Sequence, residues 1–136
     1  MMRRFVPFAL ALLLLAGCGG GLPPGDPARG EQIYTGAIRI RDGNTPACIM
    51  CHPVHPGEVA KVMGQNLSNI GNRAAREVPG QSAEEYLRVS IVEPDAHLAG
   101  GFQEGIMYRF YGRDLTPQQI SDLIAYMLTL KSGVDQ

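Results

Sequence analysis

Tryptophan is absent from the sequence, and aromatic residues make up only 7% of it. At 136 residues the chain has room for one small domain with a modest core. So little ring surface leaves the centre of that core open to something other than side chains. Beyond residue 17 no stretch is long and apolar enough to cross a bilayer, and no internal repeat is present. Paired catalytic carboxylates and nucleophile–base motifs are missing too, so nothing in the sequence supports an enzyme. Cysteine is scarce: three in all, two of them crowded into "PACIMCHPV", residues 46–54.

What is present begins at the N-terminus. Met1-Met2-Arg3-Arg4 precede an apolar run from Phe5 to Ala16, then Gly17 and Cys18. A basic start followed by about a dozen apolar residues reads as a secretory signal, too short to span a membrane. Leu15-Ala16-Gly17-Cys18 resembles the lipobox of bacterial lipoproteins, in which the signal is cut just before the cysteine. That resemblance implies a diacylglyceryl thioether on Cys18, and two or more acyl chains anchor a soluble domain stably. Residues 1–17 are therefore expected to be a lipoprotein signal peptide. Residues 18–25 would be the lipidated cysteine and a flexible Gly/Pro-rich tether, and 26–136 the domain. The mature protein is expected in the periplasm or on the outer face of the cell membrane. Cleavage would take Arg3 and Arg4 from the 12 basic residues, leaving 10 against 13 acidic, a formal charge of −3. Nucleic-acid binding needs a basic footprint, so that partner class is excluded.

Asp26-Pro27, a cap residue with proline at the first helical position, predicts a helix that stops at Gly36. Ile38 to Arg41 alternates apolar and basic residues, reading as a short extended segment before the turn Asp42-Gly43-Asn44. A short helix is expected near residues 68–77. Ser82-Ala83-Glu84-Glu85 is a capping-box sequence opening a helix that Pro94 closes. Gly100 to Gly112 carries four glycines and reads as a loop. Thr116-Pro117-Gln118-Gln119 supplies cap, proline and capping glutamine for a helix running to about Lys131, with Gly133 beyond its end. Its stripe Ile120, Leu123, Ile124, Met127 and Leu130 makes one buried face. The expected fold is a small all-α domain.

Four chemistries use two cysteines and a histidine packed this closely. A dithiol redox motif wants a βαβ context, which is missing. A zinc site could recruit Cys48, Cys51, His52 and His55, but tetrahedral ligands normally come as two separated pairs. A disulfide inside C-x-x-C closes too small a loop to stabilise the fold much. The fourth is covalent haem: Cys48-Ile49-Met50-Cys51-His52 is the C-x-x-C-H attachment motif. On a helical turn, residues three and four apart share a face. Both sulfurs can then reach the two vinyl groups while His52 points at the iron. Export agrees, because this attachment is made outside the cytoplasm.

With that motif in place, the mature chain resembles a class I mono-haem cytochrome c of bacterial lipoprotein form. The resemblance implies N- and C-terminal helices crossing around one covalent haem c. It explains a glycine inside helix one, with Gly30 and Tyr34 meeting Leu123 and Tyr126. "GQNLSNIGNRA", residues 64–74, resembles the segment whose proline carbonyl takes the N–H of the proximal histidine; here Gln65 stands in the proline's place. A backbone carbonyl is available from any residue. The resemblance also implies a methionine as sixth ligand, from a loop before the C-terminal helix, where Met107 stands, followed by Tyr108 rather than proline. Met50 lies inside the attachment motif, Met63 and Met127 read as core, and His55 is too near His52. His97 is the competing ligand, and an open site is the third outcome.

The function so implied is one-electron transfer by a membrane-anchored carrier, not an enzyme, with His52 and Met107 as axial ligands. Its partners would be redox proteins or a membrane respiratory complex. An alternative is a fixed haem subunit of a quinol-oxidising or terminal-oxidase complex. A haem enzyme or gas sensor with an open distal site is a further alternative.

Overall fold

The computed structural model describes residues 21–60 and 63–132, so the leader, Cys18 and Gly133 lie outside the described residues. Among those described, every regular element is helical. They are α1 (Pro27–Thr35), α2 (Ile70–Glu77), α3 (Ala83–Val92), α4 (Tyr111–Asp114) and α5 (Pro117–Thr129), with 3₁₀ turns at Arg41–Gly43 and Cys48–Met50. The fold is all-α.

The two terminal helices start as their caps dictate. Asp26 accepts from the backbone N–H groups of Ala28 (2.9 Å) and Arg29 (3.3 Å), Pro27 takes the first helical position, and Gly36 ends α1 in the left-handed region. At α5 the capping box is complete: Thr116 Oγ1 accepts from the Gln119 N–H, and Gln119 Oε1 accepts from the Thr116 N–H. The predicted stripe holds in part. Ile120, Leu123, Ile124 and Met127 are buried, while Leu130 is half-buried past the end of the helix. The helix stops at Thr129, short of Lys131, because the Leu130 carbonyl turns to accept from the Gly71 N–H (2.9 Å) at the start of α2.

α1 packs across α5 at Gly30. A methyl group there would fall 1.9 Å from the Asp122 carbonyl oxygen and 2.8 Å from Tyr126 Cβ. The glycine is what lets the backbones meet, as expected, although Asp122 rather than Leu123 is the closest neighbour. One turn on, the Tyr34 and Tyr126 rings pack with centroids 5.2 Å apart. The crossing also buries a charge. The Asp122 side chain is fully enclosed, yet its Oδ1 accepts from Arg29 Nη2 (2.8 Å), the Asp26 N–H (2.8 Å) and Gln118 Nε2 (3.0 Å). A buried carboxylate is tolerated only when so compensated. The Arg29 bond, with those from Asp26 and Gln118, holds its pKa at about 2. Gln118 also donates to the Pro24 carbonyl, so the end of the expected tether already lies against α5.

Elsewhere the local expectations need correction. Residues 38–41 form no strand: Ile40 is buried, and Arg41 and Asp42 turn into a 3₁₀ turn with φ of 46° and 56°. No neighbouring strand exists among the described residues for an extended segment to pair with. At α3, Ser82 caps the Glu85 N–H, but the Glu85 carboxylate turns to Arg88, so only half of the capping box forms. The glycine-rich loop gives way at Tyr111 to α4, a single turn anchored by the buried Tyr111 ring.

Candidate functional site

The attachment motif leaves α1 through a short segment and turns at Cys48–Met50. The turn is 3₁₀, not α, but the His52 N–H reaches the Cys48 carbonyl (2.9 Å), adding one α-type bond at its end. Two buried tyrosines pin its flanks. Tyr34 on α1 donates its hydroxyl to the His52 carbonyl (2.7 Å), and Tyr111 on α4 donates to the Pro46 carbonyl (2.8 Å). Burial raises the pKa of both phenols, so both remain donors.

Behind the histidine runs the segment that begins at Gly64. A methyl group at Gly64 would lie 2.2 Å from the Cys51 carbonyl oxygen, so glycine is required for the close approach. That approach sets the Gln65 carbonyl 2.8 Å from His52 Nδ1. A carbonyl can only accept, so Nδ1 carries the ring proton and Nε2 keeps its lone pair. The backbone bond expected of a proline is therefore made by glutamine. Asn66 supports the same strip by donating to the His55 and Glu58 carbonyls, both at 2.8 Å. Burial lowers the His52 pKa, partly offset by the Gln65 bond, which keeps the imidazole neutral as a metal ligand must be. Burial likewise pushes the Cys48 thiol up to about 12.

Cys48, Cys51 and His52 line one side of a cavity of about 560 Å³. Ile70, Leu87, Ile91, Leu123 and Met127 form apolar wall, and Ile106, Met107 and Tyr108 line it from the loop before α4. This volume lies within the range of about 300–1,000 Å³ typical of cofactor sites. The void occupies the centre that a tryptophan-free sequence left unfilled. Its donors fit a haem: two unpaired thiols, a neutral imidazole with a free Nε2, and a thioether.

Both candidate sixth ligands reach this cavity, but not on equal terms. Met107 is half-buried and packs on the core. His97 Nε2 lies 3.2 Å from the side-chain amide of Gln81, so that ring nitrogen already has a protein partner. The remaining methionines divide differently from expectation. Met127 is core, but Met63 is 60% exposed at the cavity rim. Met50 is exposed, and His55 is exposed and does not line this cavity. Tyr34 and Tyr111 carry no sequence signal as parts of the site, whereas Gly64 is the first residue of the segment that the resemblance sets behind the histidine.

A family model described as cytochrome c matches residues 27–131. The chain belongs to the cytochrome c family, and its cofactor is covalent haem c. Among solved structures it is similar to SoxXA from P. pantotrophus, at 23% identity and a TM-score of 0.50 over 81% of this chain and 85% of that one. At that identity the likeness speaks for the fold alone. No curated protein matches.

Proposed function

We propose that the protein is an electron carrier whose haem is bound through Cys48 and Cys51 and whose iron is held between His52 Nε2 and Met107 Sδ. The observation that carries this reading is the convergence of all four side chains on one cavity, with the His52 Nδ1 proton committed to Gln65. Bound there, haem exchanges one electron between Fe(II) and Fe(III). His52 presents its lone pair in a fixed orientation, because Tyr34 and Gln65 hold its backbone and ring. Met107 would hold the iron through a soft thioether, which would keep water off it and raise the reduction potential. With His52 and Met107 both bound, no place would remain for a substrate, and only an electron would come or go. Redox proteins that give or take that electron are the partners.

Met107→Ala should abolish the sulfur-to-iron absorption band of the oxidised protein and let carbon monoxide bind the reduced form. His97→Ala should leave the band and the closed site intact. The opposite pattern would exchange the roles of the two residues.

The lipobox-like residues Leu15 to Cys18 support a membrane-anchored carrier outside the cytoplasm. Mass spectrometry of the mature protein should find an acylated cysteine at its N-terminus, and Cys18→Ser should leave an uncleaved or mislocalised precursor. An unmodified residue 18 within an intact chain would rule out the anchor.

A further inference from the structure

We propose that Asp114 is the positioning residue that seats Met107 over the haem, acting through Tyr108 and Thr45. This inference rests on reading Met107 as the sixth ligand. Between the end of α3 and the start of α4 the chain carries no helix, so the loop bearing Met107 has to be fixed by side chains. The residue after Met107 is Tyr108, not a proline that would lock its own backbone. Its hydroxyl donates to Asp114 Oδ2 at 2.6 Å, and its ring stands edge-on to Phe110 and Tyr111, centroids 5.5 and 5.1 Å away. The same Oδ2 accepts from Thr45 Oγ1 at 2.8 Å, and the buried Thr45 stands in the segment that leads into Cys48.

The other oxygen is equally committed. Oδ1 accepts from Arg41 Nη1 (2.6 Å) and Arg113 Nε (2.8 Å). A carboxylate has about four acceptor sites, and here every one is taken. The Asp114 side chain is 1% exposed, although the arginines that reach it are more than half exposed. Its hydrogen bonds, that from Arg113 foremost, hold the carboxyl well below the usual carboxylate range, so it stays charged. One carboxylate thus ties the strip carrying the sixth ligand to the strip carrying the first thioether cysteine. The spacing between the two sides of the cavity depends on that tie. Other anchors of the loop lie farther from Met107 or nearer the surface: Asp95 accepts from the Gly105 N–H and pairs with the largely exposed Arg109, and His97 meets Gln81.

Three holoprotein variants test this, each compared with the wild type by its sulfur-to-iron band and by carbon monoxide binding to the reduced form. Tyr108→Phe keeps the ring and removes one hydroxyl, while Asp114→Ala removes the whole tie. Both should lose most of the band, and carbon monoxide affinity should rise at least about tenfold, the scale expected for a lost charge-assisted hydrogen bond. Covalent haem content should not change. Asp114→Asn should recover most of the band, because its amide can donate to both hydroxyls while its oxygen still faces the two guanidinium groups. If Asp114→Ala fails to fold, Tyr108→Phe decides the question. A wild-type band and wild-type carbon monoxide affinity in Tyr108→Phe would overturn the proposal while leaving Met107 as ligand. An Asn variant as defective as the Ala variant would overturn the positioning account in favour of charge alone. A wild-type protein without the band would sink the Met107 reading itself, and this inference with it.

Discussion

Replacing Cys48 and Cys51 together with serine should leave a polypeptide without covalent haem and, in consequence, without a stable fold. A serine hydroxyl cannot form the thioether, so acid-acetone extraction should strip all colour from the variant while the wild-type chain stays red. The structural effect follows from the cavity. Without haem, the apolar side chains that line it, Ile70, Leu87, Ile91, Leu123 and Met127 among them, lose their packing partner and meet water instead. A small domain has only about 5–15 kcal/mol of stability in total. The helices around that space cannot stand apart without filling, so the haem-free chain should lose its cooperative thermal transition by circular dichroism. Haem that extracts freely from the unmutated protein would end the assignment of these two cysteines. A serine variant that melts as cooperatively as the wild type would instead end the argument from the void.

Gly30→Ala should destabilise the protein strongly, which is the opposite of what helix propensity predicts. On an isolated helix that change is favourable by about 1 kcal/mol. Here the new methyl group would sit 1.9 Å from a backbone carbonyl of α5, and neither helix can yield cheaply. Asp122, whose carbonyl is struck, is also the buried carboxylate held by Arg29, Asp26 and Gln118, so moving α5 breaks that cluster as well. Overpacking typically costs about 1–3 kcal/mol, and a clash with backbone on both helices puts this change at the upper end. The melting temperature should fall by more than about 10 °C for a domain of this size. A melting temperature equal to or above the wild type would mean that the helices do not cross in contact at Gly30.

What could be read in the sequence was what is local. Asp26-Pro27 and Thr116-Pro117-Gln118-Gln119 specify helix starts through bonds within one turn, and both caps form. The attachment motif is equally local: five consecutive residues carry both thiols and the imidazole. The family resemblance supplied the crossing at Gly30 and the carbonyl behind His52. Misreadings arose where distant partners decide the outcome. Glu85 left its expected cap for Arg88, α5 ended early because Leu130 serves α2, and residues 38–41 had no strand to join among the described residues. Single-turn α4 was hidden among glycines, since its stability comes from burying Tyr111 rather than from any periodic pattern. Asp114 was invisible for the same reason. Its donors come from positions 41, 45, 108 and 113, and no spacing rule links them.

The α1–α5 crossing also has a consequence for the order in which the chain folds. Arg29 and Asp122, which meet there, are 93 residues apart in sequence. Bringing such distant segments together costs about 4 kcal/mol of loop-closure entropy before any contact compensates. The attachment turn, in contrast, is built from neighbours and needs nothing from α5. Haem can therefore be fixed to a chain that has not yet folded. Because α5 follows every other described helix in chain order, its pairing with α1 comes after the attachment motif is available. A chain emerging outside the cytoplasm would present the complete attachment motif before α5, the helix that fastens the domain shut, has followed it.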